Sequence, residues 1–395
     1  MATFPEVVIV SAVRTPIGSF GGSLASFTAP QLGSIAIREA IQRAQLSPDD
    51  IEQVIMGNVL TAGVGQAPAR QAALGAGLPP SVDCMTINKV CGSGLKAVML
   101  ATQAIRLGDA EIVVAGGMES MSNAPYLLDK ARFGYRLGNG NLIDSLIKDG
   151  LWDVYNDFHM GNAAELCASE CHISREDQDE FAKTSYERAL EAQQKGYFKD
   201  EIVPVTVKSK KGEIVVDSDE EPGRVKFEKI PNLKPAFQKD GTVTAANAST
   251  INDGAAALVV MNGDTAHKMN RQPLARIHSY STASKAPEWF TTAPIDAIQR
   301  VLKKADMNVE DIDLFEINEA FAVVTLVANK ELNIDPEKVN IAGGAVALGH
   351  PIGASGARIL TTLLYNLRRT GGKRGIASLC IGGGEAVAVI VEMLS

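Results

Sequence analysis

The sequence predicts a duplicated α/β protein: two similar sheets with helices between them, interrupted by one long excursion. Three observations carry this reading. Short β-rich runs alternate with helix-patterned segments through the first 119 residues, the last third repeats the first in outline, and residues 120–245 break the rhythm between them.

In chain order, EVVIVSAV reads as a strand, LGSIAIREAIQRA has helical spacing, IEQVIMGNV is strand-like, and residues 67–76 return to helix. A buried strand is expected over residues 85–88. A turn at Cys91 then opens a helix to about Leu107, and AEIVVAGG follows as a continuous apolar strand suited to a covered sheet. The excursion holds RFGYRLGNGN and a charged run over residues 208–229. One helix is expected in it, across REDQDEFAKTSYERALEAQQKG: Ser174 caps it, Asp177 completes a capping box, and Gly196 stops it. Sheet composition returns at GAAALVVMN, residues 254–262.

The repeat shows in three pairs of segments. LSPDDIEQVIMGN (46–58) matches MNVEDIDLFEINE (307–319), CGSGLKA matches IGASGARI (352–359), and AEIVVAGG matches GIASLCIGGG. The chain therefore divides into a first domain at 1–119 with its return at 250–271, an insertion at 120–249, and a second domain at 272–395.

Composition narrows the function. With 38 Lys and Arg against 46 Asp and Glu, the formal charge is -8, which argues against a general nucleic-acid surface. No run of eighteen uncharged apolar residues occurs, and MATFPEVVIVSAVRTP reads as a strand entering a turn rather than a leader. A cytoplasmic protein without nucleic-acid or membrane partners is expected. Five scattered cysteines fit reduced thiols better than a disulfide scaffold. Cys167 and Cys171 share a helix face, but His172 points away and no second pair completes a tetrahedral set, so no metal is expected. GxGxxG and GxxxxGK[ST] are both missing, which removes the usual support for nicotinamide or phosphoryl chemistry.

Cys91, in INKVCGSGLKAV, stands where a helix begins, and free N–H groups with the helix dipole favour a thiolate there. FEINEAFA sets Glu316, Asn318 and Glu319 just past an apolar strand, GGAVALGHPIGASGA sets His350 before the helix equivalent to that of Cys91, and SLCIGGGEA sets Cys380 at a strand end. If the two units face each other, these loops converge on one cleft. Such a set suits acyl transfer through a thioester: Cys91 as nucleophile, His350 taking its proton and keeping a population of thiolate, and Cys380 as a second acid/base. The N–H groups of Cys91 and Gly382 could hold an oxyanion. Plainer roles compete: Cys380 as a small buried hydrophobe, His350 as a turn histidine, Asn318 as the cap of a helix beginning at Ala320.

NKVCGSGLKA, GGMESMSNAPY, NEAFA, GHPIGASGAR and CIGGGEA together resemble the thiolase family, and within it the biosynthetic acetyl-CoA acetyltransferases, over essentially all 395 residues. The resemblance implies a five-layered α-β-α-β-α arrangement of two thiolase domains with an inserted loop domain that binds coenzyme A. It implies Cys91 as the acylated nucleophile, His350 as its activator, Asn318 holding a water in one oxyanion hole, and Cys380 as acid/base at carbon. A second oxyanion hole falls to the N–H groups of Cys91 and Gly382. Coenzyme A contacts carry over to His159, Met160 and Ser249, to Arg224 near the adenine, and to Phe237 against the pantetheine. The implied reaction is a reversible ping-pong condensation of two acetyl-CoA, with coenzyme A as substrate and product, no permanent cofactor, and a homotetramer built as a dimer of dimers. A degradative 3-ketoacyl-CoA thiolase of broader chain-length range is the alternative. One departure stands out: Phe290-Thr291-Thr292-Ala293-Pro294 replaces a Met-Gly-x-Gly-Pro run, which crowds the acyl pocket.

Overall fold

The computed structural model describes residues 4–209 and 212–394. Residues 1–3 of the N-terminal reading and Lys210 and Lys211 of the charged run lie outside them. The first half contributes strands β1 (Val7–Arg14), β2 (Gln53–Gly57), β3 (Asp83–Ile87) and β4 (Ile112–Ser120), with helices α1 (Ala29–Arg43), α2 (Pro68–Ala76) and α3 (Ser93–Leu107). The chain leaves the sheet after Ser120 and re-enters it at β5 (Asn252–Asn262). Between them lie helices α4 (Met160–Glu170) and α5 (Arg175–Gln194) and three short two-stranded pairs. The second half adds β6 (Ala275–Ser284), α6 (Ala293–Ala305), β7 (Leu314–Ile317), α7 (Ala322–Leu332), α8 (Ser355–Thr370), β8 (Arg374–Ile381) and β9 (Glu385–Met393).

The duplication holds at the level of hydrogen bonds. β1 and β6 each pair antiparallel with a return strand, β5 and β9, and each carries an irregularity at the same relative place, Ile9/Ser11 and Ile277/Ser279. Next come β4 and β8, antiparallel to those, then β2 and β7, parallel. β3 pairs parallel with β2, and the second half answers with a single parallel bridge, Phe315 to Val339. The matched segments at 46–58 and 307–319 both open on a capping box, Ser47 with Asp50 and Asn308 with Asp311, before their strands.

In one respect the structure differs from the expected pair of separate sheets. Val8 pairs with Arg276 and Ile9 with Ala275, joining β1 to β6 in one ten-stranded ladder, β7-β8-β9-β6-β1-β5-β4-β2-β3, with Gly18–Ser19 added beside β5. Duplicated sheets have open edges, and this antiparallel contact closes one edge of each.

Helices α3 and α8 pack on each other, and each touches strands of both halves. They share one core with Val260, Leu379 and Val389. α1 and α2 cover the first half, α6 and α7 the second, giving the α-β-α-β-α layering. Burial explains the helix sequences. α1 buries one face through Leu32, Ala36, Ile37, Ala40 and Ile41, whereas the central α8 is buried along nearly its whole length. In the excursion, α5 is capped by Ser174 with Asp177 as expected, and Gly196 lies just beyond it at φ +71°.

Candidate active site

Two glycines bring the starts of the central helices together. A Cβ on Gly94 would lie 2.7 Å from the backbone N of Ala357, and one on Gly356 would run into Leu95. Each glycine lets the opposite backbone approach, so the turns preceding α3 and α8 meet.

The turn before α3 is strained. Val90 adopts φ +45°, a left-handed conformation that is unusual for a β-branched residue and costs about 1–3 kcal/mol. Its neighbours hold it there: Asn88 Oδ1 accepts from the Val90 N–H at 2.9 Å, and Ser93 Oγ donates to the Val90 carbonyl at 2.7 Å while accepting from the Lys89 N–H at 2.8 Å. Cys91 follows directly, half-buried, with its thiol reached by the N–H groups of Gly382 and of Cys91 itself.

Those donors favour a thiolate, but burial outweighs them and, with the negative charge of Glu119, pushes the thiol up to about 11. His350 moves the other way, down to about 3, through burial and the positive charge of Arg358. These shifts favour a Cys91 thiol beside a neutral imidazole over the thiolate population expected from the sequence. The helix start supplies too little to offset desolvation.

The His350 tautomer follows from its partner. Ser355 Oγ donates to the Pro351 carbonyl at 3.0 Å, so at 2.6 Å it accepts from His350 Nδ1–H. Nε2 then carries a lone pair, and no protein group among the described residues bonds it. His350 and Cys91 line one cavity of about 210 Å³, together with Gly382.

Asn318 is buried just past β7. Its backbone N–H bonds the Ser378 carbonyl at 2.9 Å, but neither amide atom of its side chain has a protein partner among the described residues. The helix that follows starts at Ala322 with Phe321 at its cap, so Asn318 is not the cap of a helix at Ala320. Cys380 lies on β8, fully buried behind Met160, Phe290 and Phe321 rather than on the cavity wall. Burial, then the charge of Cys91, raises its thiol well above the ordinary range.

His159, Met160, Phe237 and Ser249 also line the inner cavity. His159 caps α4, its Nδ1 accepting from the Gly161 N–H at 3.1 Å, which leaves Nε2 as the donor. Its ring stacks on Phe237 at 4.8 Å between centroids. Phe237 and Ser249 continue into an outer vestibule of about 590 Å³, where exposed Arg224 sits with Phe20 and Tyr186. Arg224 is 3.8 Å from Glu221 and belongs to this outer space alone. Of the residues singled out in the sequence, Cys91, His350, Gly382, His159, Met160, Phe237 and Ser249 line the cavity, Arg224 the vestibule, and Cys380 the core beside it. Asn318 is buried past β7, while Glu316 faces Arg358 and Asn366, and Glu319 accepts from Ser185 and Asn340, away from the cavity wall.

Sequence reasoning missed Ser355, Glu119 and the wall residues Met121 and Phe321. Phe321 stands in NEAFA, and edge contacts to Phe237 at 6.1 Å and Phe290 at 6.4 Å join the three rings. Phe290 thus lines the cavity, while Thr291, Thr292, Ala293 and Pro294 do not. Cys167 on α4 and Cys171 at its C-cap have sulfurs 3.9 Å apart. Among the described residues no group of three or more His, Cys, Asp or Glu is placed to hold a metal.

Comparison with known proteins agrees with this geometry. The family description "Thiolase, N-terminal domain" matches residues 7–264, and "Thiolase, C-terminal domain" matches 271–393. The chain is 54% identical over 393 residues to acetyl-CoA acetyltransferase 1 of Arabidopsis thaliana, covering 99% of this chain and 95% of that one. It is 55% identical over 389 residues to an acetyl-CoA acetyltransferase of Cupriavidus necator, covering 98% and 99%. Among solved structures, the Acat5 thiolase of Ascaris suum in complex with coenzyme A superposes with a TM-score of 0.94 at 46% identity, covering 98% and 100%. Two joined, duplicated halves with their helix starts meeting at one cysteine, matched along both domains, make this chain a member of the thiolase family.

Proposed function

We infer that the protein is an acetyl-CoA acetyltransferase, condensing two acetyl-CoA to acetoacetyl-CoA and coenzyme A and catalysing the reverse cleavage. The observation that carries this reading is the cavity itself. One small, mostly apolar space joins the Cys91 thiol, two N–H groups at that sulfur, the free Nε2 of His350 and the buried Cys380 behind.

Cys91 begins as a thiol. As its sulfur attacks the thioester carbonyl, its proton passes to His350 Nε2, which then protonates the departing coenzyme A thiolate and leaves acetyl-Cys91. The N–H groups of Cys91 and Gly382 hold the oxygen of the tetrahedral intermediate. For the second half, the Cys380 thiol passes its proton to the now neutral His350 Nε2, so that Cys380 acts as thiolate while His350 carries that proton. Cys380 takes a methyl proton from the second acetyl-CoA, and the enolate oxygen is held by Nε2–H and by a water on the unpartnered Asn318 amide. The carbanion attacks the acetyl carbonyl, the bond to Cys91 breaks, and the Cys91 sulfur recovers its proton from His350. Arg224 in the vestibule faces the nucleotide end of coenzyme A, and His159 and Ser249 face the pantetheine.

Rates of thiolysis with acetoacetyl-CoA against longer 3-ketoacyl-CoA substrates test this reading. A strong preference for acetoacetyl-CoA is expected. Equal rates would favour the degradative thiolase of broad chain length.

We also propose a homotetramer and a cytoplasmic location. Strand β3 is the outer edge of the ladder and leaves Met85 44% exposed, and the early excursion exposes Phe133, Leu137 and Leu142. Five free cysteines suit a reducing compartment. Fractionation of expressing cells with antibody to the protein tests the location, and recovery in an organelle fraction would refute it.

A further inference from the structure

GGMES is a motif of the sequence to which the reaction above gives no part. Its glutamate, Glu119, ends up fully buried near the end of β4. Oε1 accepts from Asn58 Nδ2 at 2.6 Å and from the Leu60 N–H at 3.2 Å, while Oε2 accepts from the Val59 N–H at 3.0 Å and the Gly353 N–H at 2.9 Å. Every partner is an N–H, so a proton on either oxygen has no acceptor, and the arrangement fits the charged form.

These partners come from different parts of the chain. Residues 58–60 follow β2 in the first half, and Gly353 follows His350 in the second. Val59, Leu60 and Ile352 form a small apolar cluster against which Cys91 packs. Gly353 must be a glycine here, since a Cβ would lie 2.6 Å from Glu119 Oε2. One carboxylate thus ties the His350 loop to the loop after β2 beside the nucleophile.

We propose that Glu119 is a positioning residue for acyl transfer, its carboxylate clamping the two loops that hold Cys91 and His350 in register. The proposal rests on the reading of Cys91 as the acylated group. Burial pushes the Glu119 carboxyl up to about 7 against its N–H partners, so the clamp loosens as pH falls through neutrality. Among the described residues, the ionisable groups on the elements packed against it are the Cys91 thiol at the start of α3, His350 on the loop that carries Gly353, and Asp253 beside Gly254 on β5. β5 lies opposite through Gly254, and residues 58–60 and 351–354 bring no ionisable side chain.

The test is the rate of Cys91 acetylation by acetyl-CoA, followed by mass spectrometry from pH 5.5 to 9 in the full-length protein. The wild type should lose rate below about pH 7. Asn58→Ala removes one donor from the charged carboxylate, raises its pKa and should move that acid limb to higher pH. Glu119→Gln should abolish the limb and lower the rate by about 10²-fold, the scale expected when reacting groups shift by roughly an ångström. Glu119→Asp keeps the charge but shortens the reach, and should lose a similar factor while Cys91 stays slow towards iodoacetamide. If Glu119→Gln does not fold, the shift in Asn58→Ala decides. A wild type without the limb, an unmoved limb in Asn58→Ala, or wild-type rates in both Glu119 variants would overturn the clamp. An unacetylated wild-type Cys91 would instead overturn the reading on which it rests.

Discussion

At the scale of single residues, the chemistry depends on two thiols with different surroundings. Cys91 meets two N–H groups and opens on the cavity, while Cys380 is fully buried in a cluster with Met160, Phe290 and Phe321. Cys91→Ala should therefore yield no acetyl-enzyme with acetyl-CoA, by mass spectrometry of the intact protein. Acetylation of another cysteine with turnover retained would refute the assignment. Cys380→Ser should still be acetylated on Cys91 but lose about 10²–10⁴ in condensation, because a hydroxyl is a poor base for a carbon acid. Exchange of acetyl-CoA methyl protons with deuterated solvent reads that step directly, and normal exchange in the variant would remove Cys380 from it. A third expectation concerns pH. The thiolate is the form that alkylates, and burial raises the Cys91 thiol to about 11, so iodoacetamide should react ever faster up to that pH. A plateau by pH 8 would mean that the helix start wins over desolvation after all. The sequence could place Cys91, His350 and Cys380 because their flanking glycines and strand ends are local signals. Their protonation states were not legible, since desolvation depends on what the rest of the chain packs around them. The partners of Glu119 lay hidden for the same reason, brought together from residues 58–60 and 353 by the tertiary fold alone.

At the scale of elements, the site is the meeting of two helix starts, and the glycines between them set the distance. Gly94→Ala tests this against a competing effect. Gly94 is the second residue of α3, and helix propensity favours alanine over glycine by up to about 1 kcal/mol, so propensity alone predicts a gain in stability. The new Cβ would lie 2.7 Å from the Ala357 nitrogen, a backbone atom that cannot rotate away. Overpacking of this kind costs about 1–3 kcal/mol, so a net loss in urea unfolding is expected, together with slower acetylation of Cys91 as the turns separate. A more stable variant with unchanged acetylation would show that α3 and α8 can part without consequence. The repeat of CGSG and GASG was visible as text, and the capping boxes at Ser47 and Asn308 had the letters of their motif. The junction of β1 with β6 was not, because two paired positions at strand ends look the same whether an edge is open or joined.

At the scale of the whole molecule, the remaining question is how the exposed apolar surface is covered. β3 closes one end of the ladder, and its side chains are only partly buried or exposed. In the proposed assembly, this short edge strand is where a second copy would extend the sheet across a twofold axis. The early excursion is a separate surface. Phe133 is 86% exposed and Leu137 fully so, far more apolar exposure than single surface residues need, and these residues lie away from the ladder in the insertion. The two surfaces differ in place and kind, so the assembly should come apart in two independent steps. Replacing Phe133 and Leu137 together by Ser should halve the mass measured by light scattering while leaving acetylation of Cys91 intact, because neither residue lines the cavity. Replacing Met85 by Lys on the β3 edge should instead break the primary pair and lower activity, since β3 leads directly into the strained turn at Val90 that presents the nucleophile. A wild type that scatters as a monomer with full activity would refute the assembly. A Phe133/Leu137 variant of unchanged mass would place the second contact elsewhere on the molecule.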